Sequence, residues 1–302
     1  MSEPIVVSET VRAALDERRP VVALESTIFT HGLTRPRNVE VALAAEQQLR
    51  DAGVVPATVG VVEGIPVVGL STPQIRALGD AATPVVKIGI RDLPVAAVKG
   101  LHGGTTVAAT ALLAHRAGVG VFATGGLGGV HRGASTSFDE SADIVALSSI
   151  PIVVVSAGVK SVLDIPATLE RFETLGVIVV GYRTTGFPGF YIRDSGCAVD
   201  DIDSPDDAAA LARARDALGL RSAVLVGNPV DPSAQVDPEL HDRVLDEAER
   251  EATTARVRGK DLTPFLLEHM HRATGGRTLE TNIAAYRGNV ALAAEIAKAM
   301  AR

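Results

Sequence analysis

The chain has 302 residues, of which 46% are hydrophobic, 22% charged and 3% aromatic, a balance that excludes an intrinsically disordered protein. Its longest apolar runs have the length of strands and fall far short of the ~20 residues that cross a membrane. The net charge is −7 and the basic residues are scattered, which argues against a partner that is a nucleic acid polymer.

Short β-branched runs alternate with helical stretches along the chain, which predicts an α/β fold with a mostly parallel sheet flanked by helices, an α/β/α sandwich. Up to residue 123 we predict, in chain order, a strand at Val21–Leu24, a helix at Val39–Ala52, a hairpin of Ala57–Val62 and Ile65–Leu70 around Glu63 and Gly64, a strand at Pro84–Ile88, a helix at Thr105–Ala117 and a strand at Gly118–Ala123. From residue 151 onward the predicted elements are a strand at Pro151–Val155, a helix at Ser161–Leu175, a strand at Val177–Val180, a helix at Asp206–Leu218 and a strand at Ser222–Val226.

The sequence after Pro229 is predicted to be a helical C-terminal segment, with candidate helices at Pro238–Ala255, Pro264–Thr274 and Leu279–Ala301. In the last helix, apolar residues at spacings of three and four form a narrow seam that consists of Ile283, Tyr286, Val290, Ala293, Ala297 and Met300. We expect this seam to pack on the body of the protein or on another subunit. Since neither a linker nor a repeat divides the chain, we predict one domain over residues 1–302.

The single cysteine, Cys197, cannot form an intramolecular disulfide, and the N-terminal sequence has no apolar core of a signal peptide. We therefore expect a cytoplasmic enzyme with no membrane partner. Only five of the 29 basic residues are lysines, so arginine is the residue that this chain uses for surface charge. A lysine within an apolar segment needs a separate explanation, and Lys87 and Lys160 are the two that qualify.

Lys160 follows the apolar run Pro151–Gly158, at the carboxyl end of a predicted buried strand, where open α/β sheets bind their ligands. Desolvation and a helix N-terminus would both favour its neutral amine, which can attack a carbonyl and form an imine. The alternative is a lysine whose ammonium reaches the surface and pairs with a carboxylate. Lys87, within Val85–Ile88, has the same two interpretations and could also bind an anionic substrate.

Acidic residues occur at two places where they could take part in chemistry. Glu25 follows four apolar residues of the first strand, and a buried carboxyl group has a raised pKa that suits proton transfer. A helix cap or a salt bridge explains Glu25 equally well. Asp139 and Asp143, downstream of His131, supply the hard oxygen ligands that Mg²⁺ or Mn²⁺ binds, although a solvated turn is the alternative for this cluster.

Two glycine-rich stretches have several interpretations. In His102–Thr106, glycines and hydroxyls precede a predicted helix, where a phosphate would fit, but an ordinary N-cap by Thr105 or Thr106 is the alternative. The stretch Thr124–His131 matches no dinucleotide or Walker motif, and a flexible turn leaving the sheet explains it. Downstream, the aromatic residues of 182–191 could form the wall for a planar base, a packed hairpin or a subunit contact.

Several of these segments together resemble one family, the pseudouridine-5′-phosphate glycosidases, which include indigoidine-synthesis A-type members. Six separated motifs occur in the right order between about Glu25 and the C-terminus. They are Ala23-Leu-Glu-Ser-Thr27 with His31-Gly32 and Pro36-Arg-Asn38, Gly103-Gly-Thr-Thr-Val-Ala-Ala109, Ala123-Thr-Gly-Gly-Leu-Gly-Gly-Val-His-Arg-Gly133, Phe138-Asp-Glu-Ser-Ala-Asp143, Ser156-Ala-Gly-Val-Lys-Ser161 and Thr274-Gly-Gly-Arg-Thr-Leu-Glu-Thr-Asn-Ile283. The departures are minor: Glu140 stands where many members have an apolar residue, and Tyr191 where Phe is common.

The resemblance implies reversible cleavage of the C–C glycosidic bond of pseudouridine 5′-phosphate to uracil and ribose 5-phosphate, with one divalent ion per subunit, usually Mn²⁺, in a homotrimer. On the family's motifs, Lys160 corresponds to the imine-forming nucleophile, Glu25 to the proton donor and Asp139 to the metal ligand. The implied substrate-binding residues are Lys87, Thr106, Val107, His131, Ser141, Ala142, Asp143 and Asn282.

The residue types suit this reaction chemically. A C–C glycosidic bond has no leaving heteroatom to protonate, so the two-carboxylate scheme of O-glycosidases does not apply. An imine between a lysine and C1′ of the opened ribose, with an acid that protonates the base carbon, is another route. Two alternatives stay open: an imine-forming aldolase that acts on a sugar phosphate and needs no site for a planar base, and a sugar-phosphate binding protein that turns nothing over.

Overall fold

Eleven strands and twelve α-helices alternate along residues 5–257 and 262–302, the part of the chain that the computed structural model describes. The strands are β1 (Val6–Val7), β2 (Val21–Leu24), β3 (Val55–Val62), β4 (Ile65–Val68), β5 (Val85–Ile88), β6 (His102–Thr105), β7 (Val121–Ala123), β8 (Val153–Ser156), β9 (Ile178–Tyr182), β10 (Asp200–Ile202) and β11 (Val224–Gly227). The helices are α1 (Glu9–Asp16), α2 (Arg37–Asp51), α3 (Thr72–Gly79), α4 (Leu93–Lys99), α5 (Val107–Arg116), α6 (Ala134–Ser137), α7 (Ala142–Leu147), α8 (Ile165–Thr174), α9 (Pro205–Ala217), α10 (Pro238–Thr254), α11 (Leu262–Ala273) and α12 (Arg277–Ala301). Within these residues no helix has the length and apolar character of a membrane span.

The main sheet has the order β3–β2–β7–β8–β11–β9–β10, and all of these neighbours are parallel. Strands β2, β8 and β11 are buried at every position, as expected of strands that helices cover on both faces. Their continuous β-branched runs are the sequence pattern of such strands, and the predicted α/β class is confirmed.

The layers follow from the alternation of side chains along the strands. In β8, Val153 and Val155 pack in one apolar cluster with α2, α9 and α12, whereas Val154 packs in another with α5, α7 and α8. Because successive side chains of a strand point to opposite faces, the two clusters lie on the two sides of the sheet. The predicted three-layer sandwich is confirmed.

A smaller mixed sheet branches from the far half of β3. That half pairs antiparallel with β4 and with β6, and β6 pairs in parallel with β5. The predicted hairpin around Glu63 and Gly64 is confirmed: both residues have positive φ, 51° and 80°, as the two-residue turns that match strand twist require. The branch carries Lys87 in β5, within the electrostatic influence of Glu25 and Lys160, which follow strands of the main sheet.

The apolar seam of α12 packs within the chain. Ile283, Tyr286, Val290, Ala293 and Ala297 are buried in the cluster that α12 forms with α2, α9 and the main sheet. Of the two expected partners for the seam, the body of the protein is therefore the one observed. The seam gives no support for a subunit contact.

Two helix starts differ from the prediction. The helix expected from Ser161 begins at Ile165, because the Asp164 carboxylate caps it by accepting from the N–H of Ala167 at 3.0 Å. The sequence predicts that Lys160 lies at a helix N-terminus, and this prediction is wrong. The helix expected from Thr105 begins at Val107, and His102–Thr105 forms β6 between β3 and β5.

Candidate active site

Four charged side chains interact electrostatically at the carboxyl edge of the sheet. Glu25 directly follows β2, Lys87 lies in β5, Lys160 follows β8, and Asp143 lies in the first turn of α7. Because the carboxyl ends of parallel strands meet at one edge, residues far apart in the sequence converge here. The structure thus brings together the predicted nucleophile, the predicted proton donor and two predicted substrate-binding residues.

Glu25 is a buried carboxyl group with two hydroxyl partners, and only 6% of its surface is exposed. The hydroxyls of Thr27 and Thr124 donate to its two oxygens. Burial raises the pKa of Glu25, and the Asp143 charge adds to this effect, whereas the Lys160 charge and the two hydroxyls oppose it. The net effect is a raised pKa, which suits a group that holds and transfers a proton. Glu25 is not a helix cap.

The stem of Lys160 lies against the glycine-rich stretch that follows β7. The backbone N–H of Lys160 donates to the carbonyl of Leu127 at 3.0 Å. A Cβ atom on Gly126 would lie 2.5 Å from Cδ2 of Phe190, so only glycine lets this ring approach, and it would make an ordinary contact of 3.4 Å with Cγ of Lys160. The stretch Thr124–His131 is therefore a wall of the site, and its interpretation as a flexible turn is wrong.

Lys87 is a second cation of the site, beside Lys160. Partial desolvation lowers the pKa of the exposed Lys87, and the Lys160 charge lowers it further, whereas Glu25 and Asp143 raise it. Next to it, desolvation and the Lys87 charge lower the pKa of His31, whose Nδ1 lies 2.7 Å from the hydroxyl of Thr30. Sequence reasoning assigned no role to His31, although this residue lies in the first of the quoted motifs.

Asp143 and the start of α5 are already joined by hydrogen bonds. The Asp143 carboxylate accepts from the N–H of Ala108 and from that of Gly128, both at 2.9 Å. The hydroxyl of Thr106 caps α5 by accepting from the N–H of Ala109 at 3.4 Å. Of the two interpretations of this helix start, the N-cap is therefore the one observed. Asp143 positions the glycine-rich wall against α5.

The other predicted substrate-binding residues surround this junction. Val107 is the buried first residue of α5, Ser141 caps α7 by accepting from the N–H of Asp143 at 3.2 Å, and Ala142 is the exposed first residue of α7. His131 is half-buried, and its backbone N–H donates to the carbonyl of Asp139 at 3.0 Å.

Asp139, the predicted metal ligand, is half-buried and uses its backbone for hydrogen bonding. In residues 5–257 and 262–302 no hydrogen bond or ion pair engages its carboxylate, and no group of three or more His, Cys, Asp or Glu side chains could surround an ion. Among the described residues, Asp139 thus offers one carboxylate, and a hard divalent ion there would take its other ligands from water.

Asn282 of α12 adds an unused acceptor to the same wall. Its Oδ1 is buried and has no hydrogen-bond partner among the described residues. A Cβ atom on Gly125 would lie 3.2 Å from this oxygen and 3.8 Å from Cε2 of Phe190. Two helical turns further along α12, the side-chain amide of Asn289 holds the wall in place by donating to the carbonyl of Thr124 at 2.8 Å.

The aromatic segment packs as a buried loop and does not form the alternative of a packed hairpin. Phe187, Phe190 and Tyr191 are buried, and the N–H of Phe190 donates to the carbonyl of Ala157 at 2.9 Å. The ring of Phe190 also faces Gly126, as described above. The roles of Thr27, Thr124 and Asn289 escaped sequence reasoning, because each acts through a contact that only the folded chain forms.

Comparisons with known proteins agree on one family. The family of indigoidine synthase A like proteins matches residues 10–299 of the chain. A pseudouridine-5′-phosphate glycosidase of Saccharopolyspora erythraea is 64% identical over 297 residues, which cover 98% of each chain. One of Frankia alni is 57% identical over 298 residues, which cover 98% of this chain and 82% of the relative.

Two solved structures share the whole fold. The prealnumycin C-glycosynthase AlnA, in complex with ribulose 5-phosphate, superposes with a TM-score of 0.92 at 35% identity and covers 98% of this chain and 97% of its own. An indigoidine synthase A-like protein of Thermotoga maritima superposes with a TM-score of 0.89 at 35% identity and covers 100% of this chain and 99% of its own.

Proposed function

This chain belongs to the family of indigoidine synthase A like proteins, and we propose that it reversibly cleaves the C–C glycosidic bond of pseudouridine 5′-phosphate to uracil and ribose 5-phosphate. The observation that carries this proposal is the buried Glu25, with its raised pKa, in the field of Lys160. An acid and an amine at one place are the two groups that the cleavage of a carbon–carbon bond through an imine needs.

In the cleavage direction, Nζ of Lys160 bonds to C1′ of the ribose while the bond from C1′ to the ring oxygen breaks. Nζ loses a proton, the ring oxygen gains one, and the sugar opens. Glu25 then protonates C5 of uracil. As the nitrogen lone pair forms the C=N bond, the electron pair of the C1′–C5 bond returns to the uracil ring. Water hydrolyses the imine and releases ribose 5-phosphate, and the synthesis runs through the same steps in reverse.

The wall around Lys160 supports a site for a planar base. Phe190 provides an apolar face beside the lysine stem, and the unpartnered Oδ1 of Asn282 faces the same glycines. An imide N–H of uracil would satisfy this acceptor, whose burial without a partner otherwise costs free energy. An aldolase acting on a sugar phosphate alone would leave Asn282 Oδ1 unused, so this observation favours the glycosidase over that alternative.

We assign the phosphate to the cationic side of the site. Lys87 lies there beside His31, and the charge of Lys87 adds to the desolvation that lowers the pKa of this imidazole. Binding energy from the phosphate, remote from the reacting carbon, orients C1′ toward Lys160. We propose that Asp139 holds one Mn²⁺ ion with several waters. When bound, the ion would supply positive charge and polarised water to the site.

We further propose that the enzyme is a cytoplasmic homotrimer. A single cysteine suits a reducing compartment. Support for a subunit contact comes from α4, which exposes Val95 and Val98, three residues apart on the helix, the latter to 89%. Apolar residues exposed together in this way are typical of an interface.

The proposal is tested by incubating the purified chain with Mn²⁺, uracil and ribose 5-phosphate. We expect a new nucleoside phosphate whose base resists acid hydrolysis, because its glycosidic bond joins two carbons. The same incubation without uracil should give no such product. If ribose 5-phosphate binds and no product forms in either direction, the chain is a binding protein and the proposed reaction is wrong.

A further inference from the structure

A second cavity of about 340 Å³ lies beside the segments that carry the catalytic side chains. Ser161, Gly189 and Arg132 line this cavity, and they are the chain neighbours of Lys160, Phe190 and His131. Among the described residues, the lining includes none of the four charged side chains of the active site. In each of these three segments, one residue lies at the active site and its chain neighbour lines the second cavity.

Two buried polar groups of the lining have no hydrogen-bond partner in the part of the chain that the structure describes: Oγ of Ser161 and Nε2 of His241. Ser161 is 3% exposed and His241 is 4% exposed. Leaving such groups unpartnered in the interior costs free energy, so they point to a molecule that completes their hydrogen bonds.

The partners of His241 define what it can accept. Its Nδ1 lies 2.9 Å from a carboxylate oxygen of Asp242, and since a carboxylate only accepts, Nδ1 carries the hydrogen. Nε2 of the neutral ring is then an acceptor that requires an O–H or N–H donor. Oγ of Ser161 both donates and accepts. A hydroxyl group can satisfy each of these atoms, since it donates to Nε2 and both donates to and accepts from Oγ.

The charges around the cavity disfavour an anion. Arg132 is its only basic residue within the described chain apart from His241, and Glu249 pairs with Arg132 at 2.9 Å. Asp164 and Asp242 add carboxylates that accept hydrogen bonds. The remaining walls are apolar side chains, namely Leu163, Ile165, Pro166, Ile192 and Leu245. Acceptors beside an apolar wall suit a sugar ring, whose hydroxyls donate and whose C–H face packs on aliphatic carbon.

We propose that this cavity is a second ligand site, which binds an uncharged pentose ring, free or within an unphosphorylated nucleoside. The site is separate from the one that holds the phosphorylated substrate, and it does not depend on the proposed reaction. It lets the dephosphorylated form of a sugar or nucleoside contact the segment that carries Lys160.

Calorimetric titration of the full chain with D-ribose, with uridine and with inorganic phosphate tests the site. We expect saturable binding of one ribose or one uridine per chain and none of phosphate. Equal affinity for the two probes identifies the free ring as sufficient, and binding of uridine alone identifies the nucleoside as the form required. Ser161→Ala and His241→Phe should each weaken binding about tenfold, the effect of one lost hydrogen bond to a buried group.

Ser195→Ala is the matched control, because Ser195 lines the same cavity but its hydroxyl already donates to the carbonyl of Phe187 at 2.8 Å. Its affinity should equal that of the wild type. Ile192→Trp, which fills the cavity from its apolar side, should abolish binding while the melting temperature shows that the variant folds. The proposal is overturned if neither probe binds at millimolar concentration, if Ser161→Ala and His241→Phe bind like the wild type, or if Lys87→Ala abolishes binding and so places the ligand in the active site.

Discussion

At the scale of single residues, Glu25 shows how a fold changes the chemistry of a carboxyl group. Its pKa is raised chiefly because burial removes water from the carboxylate, although the hydroxyls of Thr27 and Thr124 and the charge of Lys160 act in the opposite direction. The position directly after β2 creates this environment, since the sheet edge and the glycine-rich wall enclose it. The same burial that prepares Glu25 to transfer a proton destabilises its charged form in the folded protein.

Glu25→Gln should lose activity and gain stability. Because the folded-state pKa of Glu25 lies above the unfolded value of 4.5, the free energy of unfolding falls as pH rises from 4.5 through the folded-state pKa. Gln has no proton to lose, so its melting temperature should exceed that of the wild type at pH 8, and the difference should vanish below pH 4.5. The turnover number should fall roughly 10²- to 10⁴-fold, the usual contribution of a positioned acid.

Glu46→Gln is the matched control for this experiment. Glu46 is also a buried carboxylate, but it accepts from the hydroxyl of Thr58 at 2.7 Å and pairs with Arg50 at 2.6 Å, away from the wall of the site. We expect Glu46→Gln to keep its activity and to lose stability. A Glu25→Gln variant that turns over at the wild-type rate would remove the proton-donor role.

Asp139→Ala should weaken the binding of the metal ion. Its carboxylate is the candidate ligand, and a hard divalent ion loses a charged oxygen when it is removed. We expect the Mn²⁺ concentration for half-maximal activity to rise about tenfold or more, and excess Mn²⁺ to restore part of the rate. Titration of apo-protein with Mn²⁺ measures this shift. Equal wild-type activity with and without a chelator would show that no metal takes part.

At the scale of elements, the glycine-rich wall depends on the absence of a side chain at one position. Gly126→Ala would bring a Cβ atom to 2.5 Å from Phe190, so the ring must move, and to an ordinary contact distance of 3.4 Å from the stem of Lys160. We expect a loss of roughly 1–3 kcal/mol in the free energy of unfolding and a reduced rate, measured by denaturant titration and by assay. The double variant Gly126→Ala with Phe190→Leu should recover part of both.

Gly120→Ala provides the control for that substitution. Its Cβ would lie 3.2 Å from the flexible end of Met300, which can move away. This variant should keep its activity. If Gly126→Ala behaves like Gly120→Ala, the contact between Phe190 and the wall has no part in positioning Lys160.

The elements also show what a single sequence predicts. The strands β2, β8 and β11 were predictable because a fully buried parallel strand leaves a continuous β-branched run. Strand β6 was not, since its two glycines favour a loop and only pairing with β3 and β5 on both sides makes it a strand. The start of α8 has a visible signal, Asp164 with Pro166 in the first turn, that outweighs the helical period upstream.

The same distinction applies to the site. Glu25 and Lys160 were predictable because each is a charged residue beside an apolar strand. Their partners were not: Thr124 is 99 residues from Glu25 in sequence, and only the pairing of β2 with β7 brings the two together.

At the scale of the whole molecule, the proposed trimer predicts a mass in solution of three times the 31.3 kDa chain, measured by light scattering. Since α12 uses its apolar seam within the chain, the exposed valines of α4 are the better candidates for the contact. Val98→Glu should therefore dissociate the assembly, whereas Leu218→Glu, at an exposed position after α9, should not. A monomer at micromolar concentration in the wild type would remove the oligomer proposal.

The central claim is that Lys160 forms an imine with the opened sugar, and borohydride trapping tests it most directly. We predict that borohydride with ribose 5-phosphate leaves a stable adduct on the peptide that contains Lys160, located by mass spectrometry. Lys160→Ala and Lys160→Arg should lose both the adduct and turnover, since a guanidinium keeps its proton and cannot attack a carbonyl. Lys99→Arg, at an exposed lysine of α4, should retain both. An adduct on Lys87 would exchange the roles of the two lysines, and turnover without any adduct would contradict the imine mechanism.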